Sequence, residues 1–197
     1  MYYAKKIAVL IFVAALILPQ VAECRTKTLG DYFGNDLDWS VAASFMVGDV
    51  NGNTVPMNGM RVHGTLNKEI GFGFFGYGTC YDSDHHYMGA NRDFEMNLYG
   101  FDIEYTINPD DLVHWVGSLA FGGGDLDFSY NTKQSLNYNP DDKFFFVQPM
   151  VYSEINVIRH LKLNVGAGYR QTSGVNSLNI DNNDLSGWLV ALNLKII

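Results

Sequence analysis

Apolar and polar side chains alternate along several stretches of this chain. In residues 161–170, Leu, Val, Ala and Tyr occupy every second position, and Lys, Asn, Gly and Arg occupy the positions between them. Successive side chains of a β-strand point to opposite faces, so this period of two predicts a strand with one apolar face. The same pattern predicts strands with clear alternation at 99–107, 145–157 and 190–196, and with weaker alternation at 39–47, 60–66, 70–81 and 113–121.

Two positions interrupt the alternation. Within 70–81 the apolar parity passes from Phe72 and Phe74 to Phe75 and Tyr77, which predicts a β-bulge or a bend assisted by glycine. Pro149 has no backbone N–H to donate to a neighbouring strand, and it predicts a second bulge.

The links between the predicted strands alternate in length. The long links are 48–59, 82–93, 122–143 and 172–187, and the short ones are 67–68, 108–111 and 158–160. Short turns on one side and longer loops on the other are the plan of an outer-membrane β-barrel, with both chain ends on the periplasmic side. The sequence therefore predicts an all-β fold, an eight-stranded antiparallel up-and-down transmembrane β-barrel.

Composition bears on which face of the strands is outside. Charged residues make up 17% of the chain and aromatic residues 14%, a balance unlike that of an ordinary soluble surface. Aromatic residues fall near predicted strand ends, as interfacial girdles require: Trp39, Tyr105, Trp115, Phe144, Phe145, Tyr169 and Trp188. We therefore expect the apolar face to point outward to lipid. The alternative is a soluble periplasmic binding barrel whose apolar face points inward.

The amino terminus has the features of an export signal. Lys5 and Lys6 precede the apolar run 7–18, which is too short to cross a membrane comfortably as a helix. The predicted organisation is a cleaved signal peptide at 1–22, a periplasmic lead-in at 23–37 and the barrel at 38–197.

Several short motifs occur in an order that resembles a known family. Near the carboxyl end, Gly166-Ala167-Gly168-Tyr169-Arg170 is followed by Gly174-Val175 and by Asp184-Leu185-Ser186-Gly187 before the last strand. Earlier motifs of the series are 112–114, 122–124, 144–146 and 154–156. The series spans 57–197 and resembles a family of small, largely uncharacterised bacterial outer-membrane β-barrel proteins with the eight-stranded architecture of OmpA and OmpX. The resemblance implies that fold and an outer-membrane location.

Charged residues fall on the lumen-facing parity of the predicted strands. They are Asp102, Glu104, Glu154, Lys162, Arg170 and Lys195, with Arg61 and His63 as further candidates. The interior of an eight-stranded barrel is just wide enough to be filled by side chains, and an unpaired buried charge is costly. We expect a structural network of ion pairs that plugs a polar lumen. The alternative is a narrow gated conduit in which these pairs rearrange.

One predicted external loop concentrates acidic, hydroxyl and imidazole groups, in Asp82-Ser83-Asp84-His85-His86. Some small barrels are lipid-modifying enzymes that use His as a base and Ser as a nucleophile at such a place. Adjacent side chains point in different directions, which argues against a catalytic triad. Asp82, Asp84, His85 and His86 are weak candidates for metal ligands. We expect an inert polar loop, no enzymatic activity, no resident metal and no cofactor.

The formal net charge of the chain is -8 at pH 7. Nucleic acid is excluded as a partner because phosphate binding needs a basic surface. We expect a monomer in the bacterial outer membrane, with a structural or surface-interaction role carried by the external loops. Its expected partners are outer-membrane lipid, lipopolysaccharide and the barrel assembly machinery.

Overall fold

The computed structural model describes residues 37–50, 52–79, 92–130, 142–175 and 181–197, and these form eight strands. The strands are β1 (Leu37–Val50), β2 (Asn53–Leu66), β3 (Ile70–Thr79), β4 (Arg92–Ile107), β5 (Val113–Tyr130), β6 (Asp142–Ile158), β7 (Leu161–Ser173) and β8 (Gly187–Ile196). Each strand pairs antiparallel with the next along the chain, and β1 pairs with β8 to close the barrel. The predicted fold is confirmed.

The barrel begins at Leu37, one residue before the predicted boundary. The predicted signal peptide 1–22 and most of the lead-in 23–37 lie outside the described residues. Within the described ranges, no helix is long and apolar enough to cross a membrane.

The turn between β2 and β3 has the geometry that a tight hairpin requires. Asn67 and Lys68 have φ values of 50° and 62°, and the Glu69 N–H donates to the Leu66 carbonyl at 3.0 Å. A type I′ turn needs positive φ at both central residues, and its twist matches that of the flanking strands. The predicted short link is thereby confirmed, with Glu69 as a third residue before β3 begins at Ile70.

The predicted long link at 48–59 is wrong. Strands β1 and β2 continue to Val50 and Asn53, which pair with each other, so that only Asn51-Gly52 separates them. Asn-Gly is a strong signal for a two-residue hairpin, and Gly52 has the positive φ of 76° that such a turn uses.

The predicted loop at 122–143 also begins too early, because β5 extends to Tyr130. Gly122 and Gly124 look like loop residues in the sequence. In the barrel they lie in β5, where Gly122 pairs with Gly100 and Gly124 with Leu98. A β-carbon on Gly122 would collide with the Tyr99 carbonyl, so glycine here permits close approach of two strands.

The β-bulges predicted within 70–81 and at Pro149 are wrong. Pairing continues without a shift through Phe74 and Phe75, and Phe75 points into the lumen with Tyr77. Pairing between β6 and β7 skips Gln148 and Pro149, yet the register on either side is the same. The register shift in this pair lies between Asn156 and Ile158, next to the β6–β7 turn.

The outer surface of the barrel is apolar, as the alternation predicted. Large side chains such as Ile103, Val165 and Leu192 point outward, each about half exposed. Polar and charged side chains of the same strands, such as Glu104 and Asn164, are buried inside. At these positions the apolar side chains lie outside and the polar ones inside, which is the reverse of what a soluble barrel requires. Phe144 is the exception among the predicted girdle residues that the structure describes, since it is buried in the lumen.

Candidate functional site in the barrel lumen

The lumen has two chemically different halves. The half nearer the short turns holds the residues that we call the ionic cluster: Arg61, His63, Asp102, Glu104, His114, Glu154, Lys162 and Lys195. The half nearer the long links is lined mainly by Met, Leu, Val, Phe and Tyr side chains, and we call it the apolar half. Four methionines belong to it: Met46, Met57, Met96 and Met150. The expectation of a polar lumen is therefore correct for only one half.

Asp102 on β4 is a first centre of the ionic cluster. It pairs with Arg61 on β2, and its Oδ1 lies 2.8 Å from Nε2 of His63, also on β2. Strand β3 runs between these two strands, and its inward position here is Gly73. A β-carbon on Gly73 would collide with the His63 ring, so glycine lets the imidazole pass over β3.

Glu104 lies two residues further along β4 and shares the same partners. Its Oε1 is 2.8 Å from Nη2 of Arg61, and its Oε2 is 3.2 Å from Nδ1 of His63 and 3.5 Å from Nζ of Lys195. Both ring nitrogens of His63 thus face carboxylates. Only the imidazolium form has two N–H groups, so the positively charged ring satisfies both contacts.

Glu154 on β6 is the second centre of the cluster. Its Oε1 is 2.8 Å from Nζ of Lys162 and 2.9 Å from Nε2 of His114, and its Oε2 is 4.0 Å from Nζ of Lys195. Since Lys195 also contacts Glu104, it joins the two centres. The cluster therefore ties β2, β4, β5, β6, β7 and β8 together across the lumen.

The structure brings five of the six predicted lumen residues into this cluster, together with both further candidates. Arg170 lies elsewhere: it is buried in the apolar half and makes no ion pair among the described residues. Its place on the strand explains the difference, because Arg170 lies six positions along β7 from Asn164, which pairs with Glu154. Sequence reasoning missed His114, although its parity on the predicted strand 113–121 points inward.

One part of the cluster has ligand types that suit a metal ion. Donor atoms of His63, Asp102 and Glu104 lie within 4.8 Å of one another. Arg61 and Lys195 place positive charges on the same carboxylates, and these charges oppose a cation there. The weak metal candidates Asp82, Asp84, His85 and His86 lie outside the described residues.

Comparison with solved structures places this barrel among known folds. Neisserial surface protein A matches with a TM-score of 0.61 and 10% identity, over 82% of this chain and 99% of that protein's chain. The fold is that of small eight-stranded outer-membrane β-barrels. The N-terminal β-barrel domain of Pseudomonas aeruginosa OprF matches with a TM-score of 0.54 and 7% identity, over 82% and 98% of the two chains. Ail, the attachment invasion locus protein of Yersinia pestis, matches with a TM-score of 0.51 and 13% identity, over 81% and 96%.

No protein-family model matches the sequence, and no curated protein matches it. The likeness therefore rests on fold alone.

Proposed function

We propose that this chain is exported by its predicted signal peptide and resides as a monomer in the bacterial outer membrane. Its role there is structural or lies in surface interaction, through the links on the side opposite the short turns. The observation that carries the proposal is the apolar outer surface, which encloses a cluster of ion pairs in the half of the lumen nearer the short turns.

The outer surface supports a lipid environment. Trp115, Leu119, Val190 and Leu194 are all exposed, and a soluble protein would bury side chains of this size. A transmembrane strand needs about 9–11 residues, and the shortest strands, β3 and β8, have 10 residues each. A closed barrel leaves no strand edge unpaired, which favours a monomer surrounded by outer-membrane lipid and lipopolysaccharide. Insertion of such a barrel would depend on the barrel assembly machinery.

The lumen supports a role without transport or catalysis. An eight-stranded barrel has an interior just wide enough for side chains to fill, and large ones such as Phe146, Tyr152 and Arg170 are almost fully buried. We infer a plugged lumen, no enzymatic activity and no cofactor. The names of two structural neighbours, a surface protein and an attachment invasion locus protein, are consistent with a surface role.

The location is tested by fractionation. The expressed protein is expected in the outer-membrane fraction, resistant to urea washing, with a gel mobility that changes on heating. Release by osmotic shock without detergent would contradict the proposal. Surface labelling of Cys80 in intact cells tests whether the link after β3 faces outward.

The orientation of the barrel surface is tested by a single charge. Leu192→Lys places a charge on the lipid-facing side of β8 and is expected to destabilise the barrel by about 2–4 kcal/mol. Asp49→Lys is the matched control, because Asp49 is outward and exposed at the loop end of β1. Urea unfolding in lipid vesicles measures both; equal tolerance would contradict a lipid-facing belt.

The lipid-modifying alternative has its own test. Expression of the protein is expected to leave the mass spectrum of lipid A unchanged. A mass change that disappears in His85→Ala or His86→Ala would instead establish the enzyme.

A further inference from the structure

Arg170 is a buried cation without a counter-ion among the described residues. Only 1% of its surface is exposed. Its Nε has no hydrogen-bond partner in the part of the chain that the structure describes, and its Nη1 lies 3.7 Å from the Met96 sulfur. Because a guanidinium is always charged and offers five N–H donors, a thioether leaves it almost entirely uncompensated.

The ionic cluster has no carboxylate left for Arg170. Its three carboxylates, on Asp102, Glu104 and Glu154, are matched in number by the cations Arg61, Lys162 and Lys195. His63 and His114 also contact oxygens of these three carboxylates. With the His63 imidazolium counted, positive charges already outnumber carboxylates in the cluster, so it has no carboxylate to spare for Arg170.

Gln148 is the polar side chain across from Arg170, and its Oε1 has no hydrogen-bond partner among the described residues. Gln148 is the inward residue opposite Arg170, between the pairs Val147↔Gln171 and Met150↔Gly168. Within the described ranges, the partners of the Gln148 amide nitrogen are thioethers, at 3.3 Å from Met150 and 3.8 Å from Met46. Sulfur of this kind is a weak acceptor, so the donors of both side chains lack the partner that they would have in water.

A glycine on β1 lies beside the guanidinium. Arg170 pairs with Gly187 on β8, and its guanidinium reaches Gly48 on β1. A β-carbon on Gly48 would be 3.0 Å from Nη2. Any larger residue at position 48 would therefore press on the guanidinium, whereas glycine leaves room for it.

We propose that Arg170 and Gln148 form a binding site for a small inorganic anion of the chloride class in the apolar half of the lumen. The anion accepts hydrogen bonds from the guanidinium and the amide, and its charge neutralises the buried arginine. Burial in an apolar environment strengthens this attraction, since little water competes with it.

The site is tested by replacing chloride with gluconate at constant ionic strength, with the full chain refolded in detergent micelles. Urea unfolding is followed by tryptophan fluorescence. For the wild type, each tenfold rise in chloride above the dissociation constant is expected to lower the unfolding equilibrium constant about tenfold. Arg170→Met, which keeps an unbranched side chain, is expected to lose this dependence.

Lys143→Met is the matched control, because Lys143 is an exposed cation on β6. It is expected to keep the full chloride dependence of the wild type. An identical dependence in Arg170→Met, or none in the wild type, would overturn the proposal.

A measurement on the wild type alone covers the case in which Arg170→Met fails to fold. Crystals grown in bromide are expected to show an anomalous peak within hydrogen-bond distance of the Arg170 guanidinium. Absence of that peak would also overturn the proposal.

Discussion

The two halves of the lumen are filled by side chains of opposite chemistry. Near the short turns, Asp102, Glu104 and Glu154 are held by cations at close range, and almost none of these groups meets water. Near the long links, residues such as Met57, Phe146 and Leu189 fill the interior with apolar groups. Arg170 is the only arginine or lysine that the described part of the apolar half contains.

A substitution destabilises the two halves by different physical mechanisms. In the ionic cluster, removal of one partner leaves an uncompensated buried charge, which costs more than the pair contributes. In the apolar half, truncation leaves a cavity whose cost depends on how far the neighbours relax. The two halves should therefore respond differently to substitutions of similar size.

The largest effect is expected in the ionic cluster. Asp102→Asn keeps the shape of the side chain but leaves Arg61 and His63 facing a neutral amide. We expect a loss of about 3–5 kcal/mol in unfolding free energy, measured by urea unfolding in vesicles. Glu95→Gln is the control on the same strand, since Glu95 is exposed, and it should change stability by less than about 0.5 kcal/mol. Similar values for the two variants would contradict an ion-pair role for Asp102.

The apolar half is tested by truncating a core residue. Leu189→Ala should cost about 2–5 kcal/mol because Leu189 is buried in the lumen. Val190→Ala, one residue along and outward, should cost less, since lipid chains fill the space. A greater loss for Val190→Ala, by the same unfolding measurement, would show that the two faces of β8 are misplaced.

A substitution at Gly73 tests whether the His63 side chain reaches Asp102 by passing over β3. Gly73→Ala should cost about 1–3 kcal/mol, because the added methyl displaces the imidazole from its carboxylates. Gly117→Ala is the control, as a β-carbon there meets open space. The temperature at which half of the protein changes its gel mobility is measured for both variants. A lower midpoint temperature for Gly117→Ala than for Gly73→Ala would contradict the role of Gly73.

The smallest effect concerns a surface pair at the short turns. Lys68 Nζ lies 2.8 Å from Asp110 Oδ1, and the hydrogen bond and charge of Lys68 lower the pKa of that carboxyl. A lowered pKa in the folded state means that the pair contributes above the ordinary pKa of the carboxyl and is lost as pH falls through the lowered one. Lys68→Ala should raise the Asp110 pKa in an NMR titration, whereas Lys68→Arg should keep it low.

For the candidate site, the sequence could predict whether each strand side chain points into or out of the barrel. The alternation placed Glu104, Glu154 and Lys195 inside the barrel, because a strand side chain has only two directions. Height along the barrel was not predictable, since it depends on strand tilt and register. Arg170 was therefore expected in the ionic cluster, although its position on β7 is too far along the barrel to reach it.

Composition favoured an outward apolar face over the inward one of a soluble barrel. The sequence by itself determined eight alternating segments and their antiparallel order. These are local properties, because a period of two and a turn such as Asn67-Lys68 act over a few residues. Only the tertiary structure decided that the lumen is divided, that Phe75 and Tyr77 belong inside it, and that His63 reaches Asp102 across Gly73. Those contacts join strands distant in sequence, and only barrel closure brings them together.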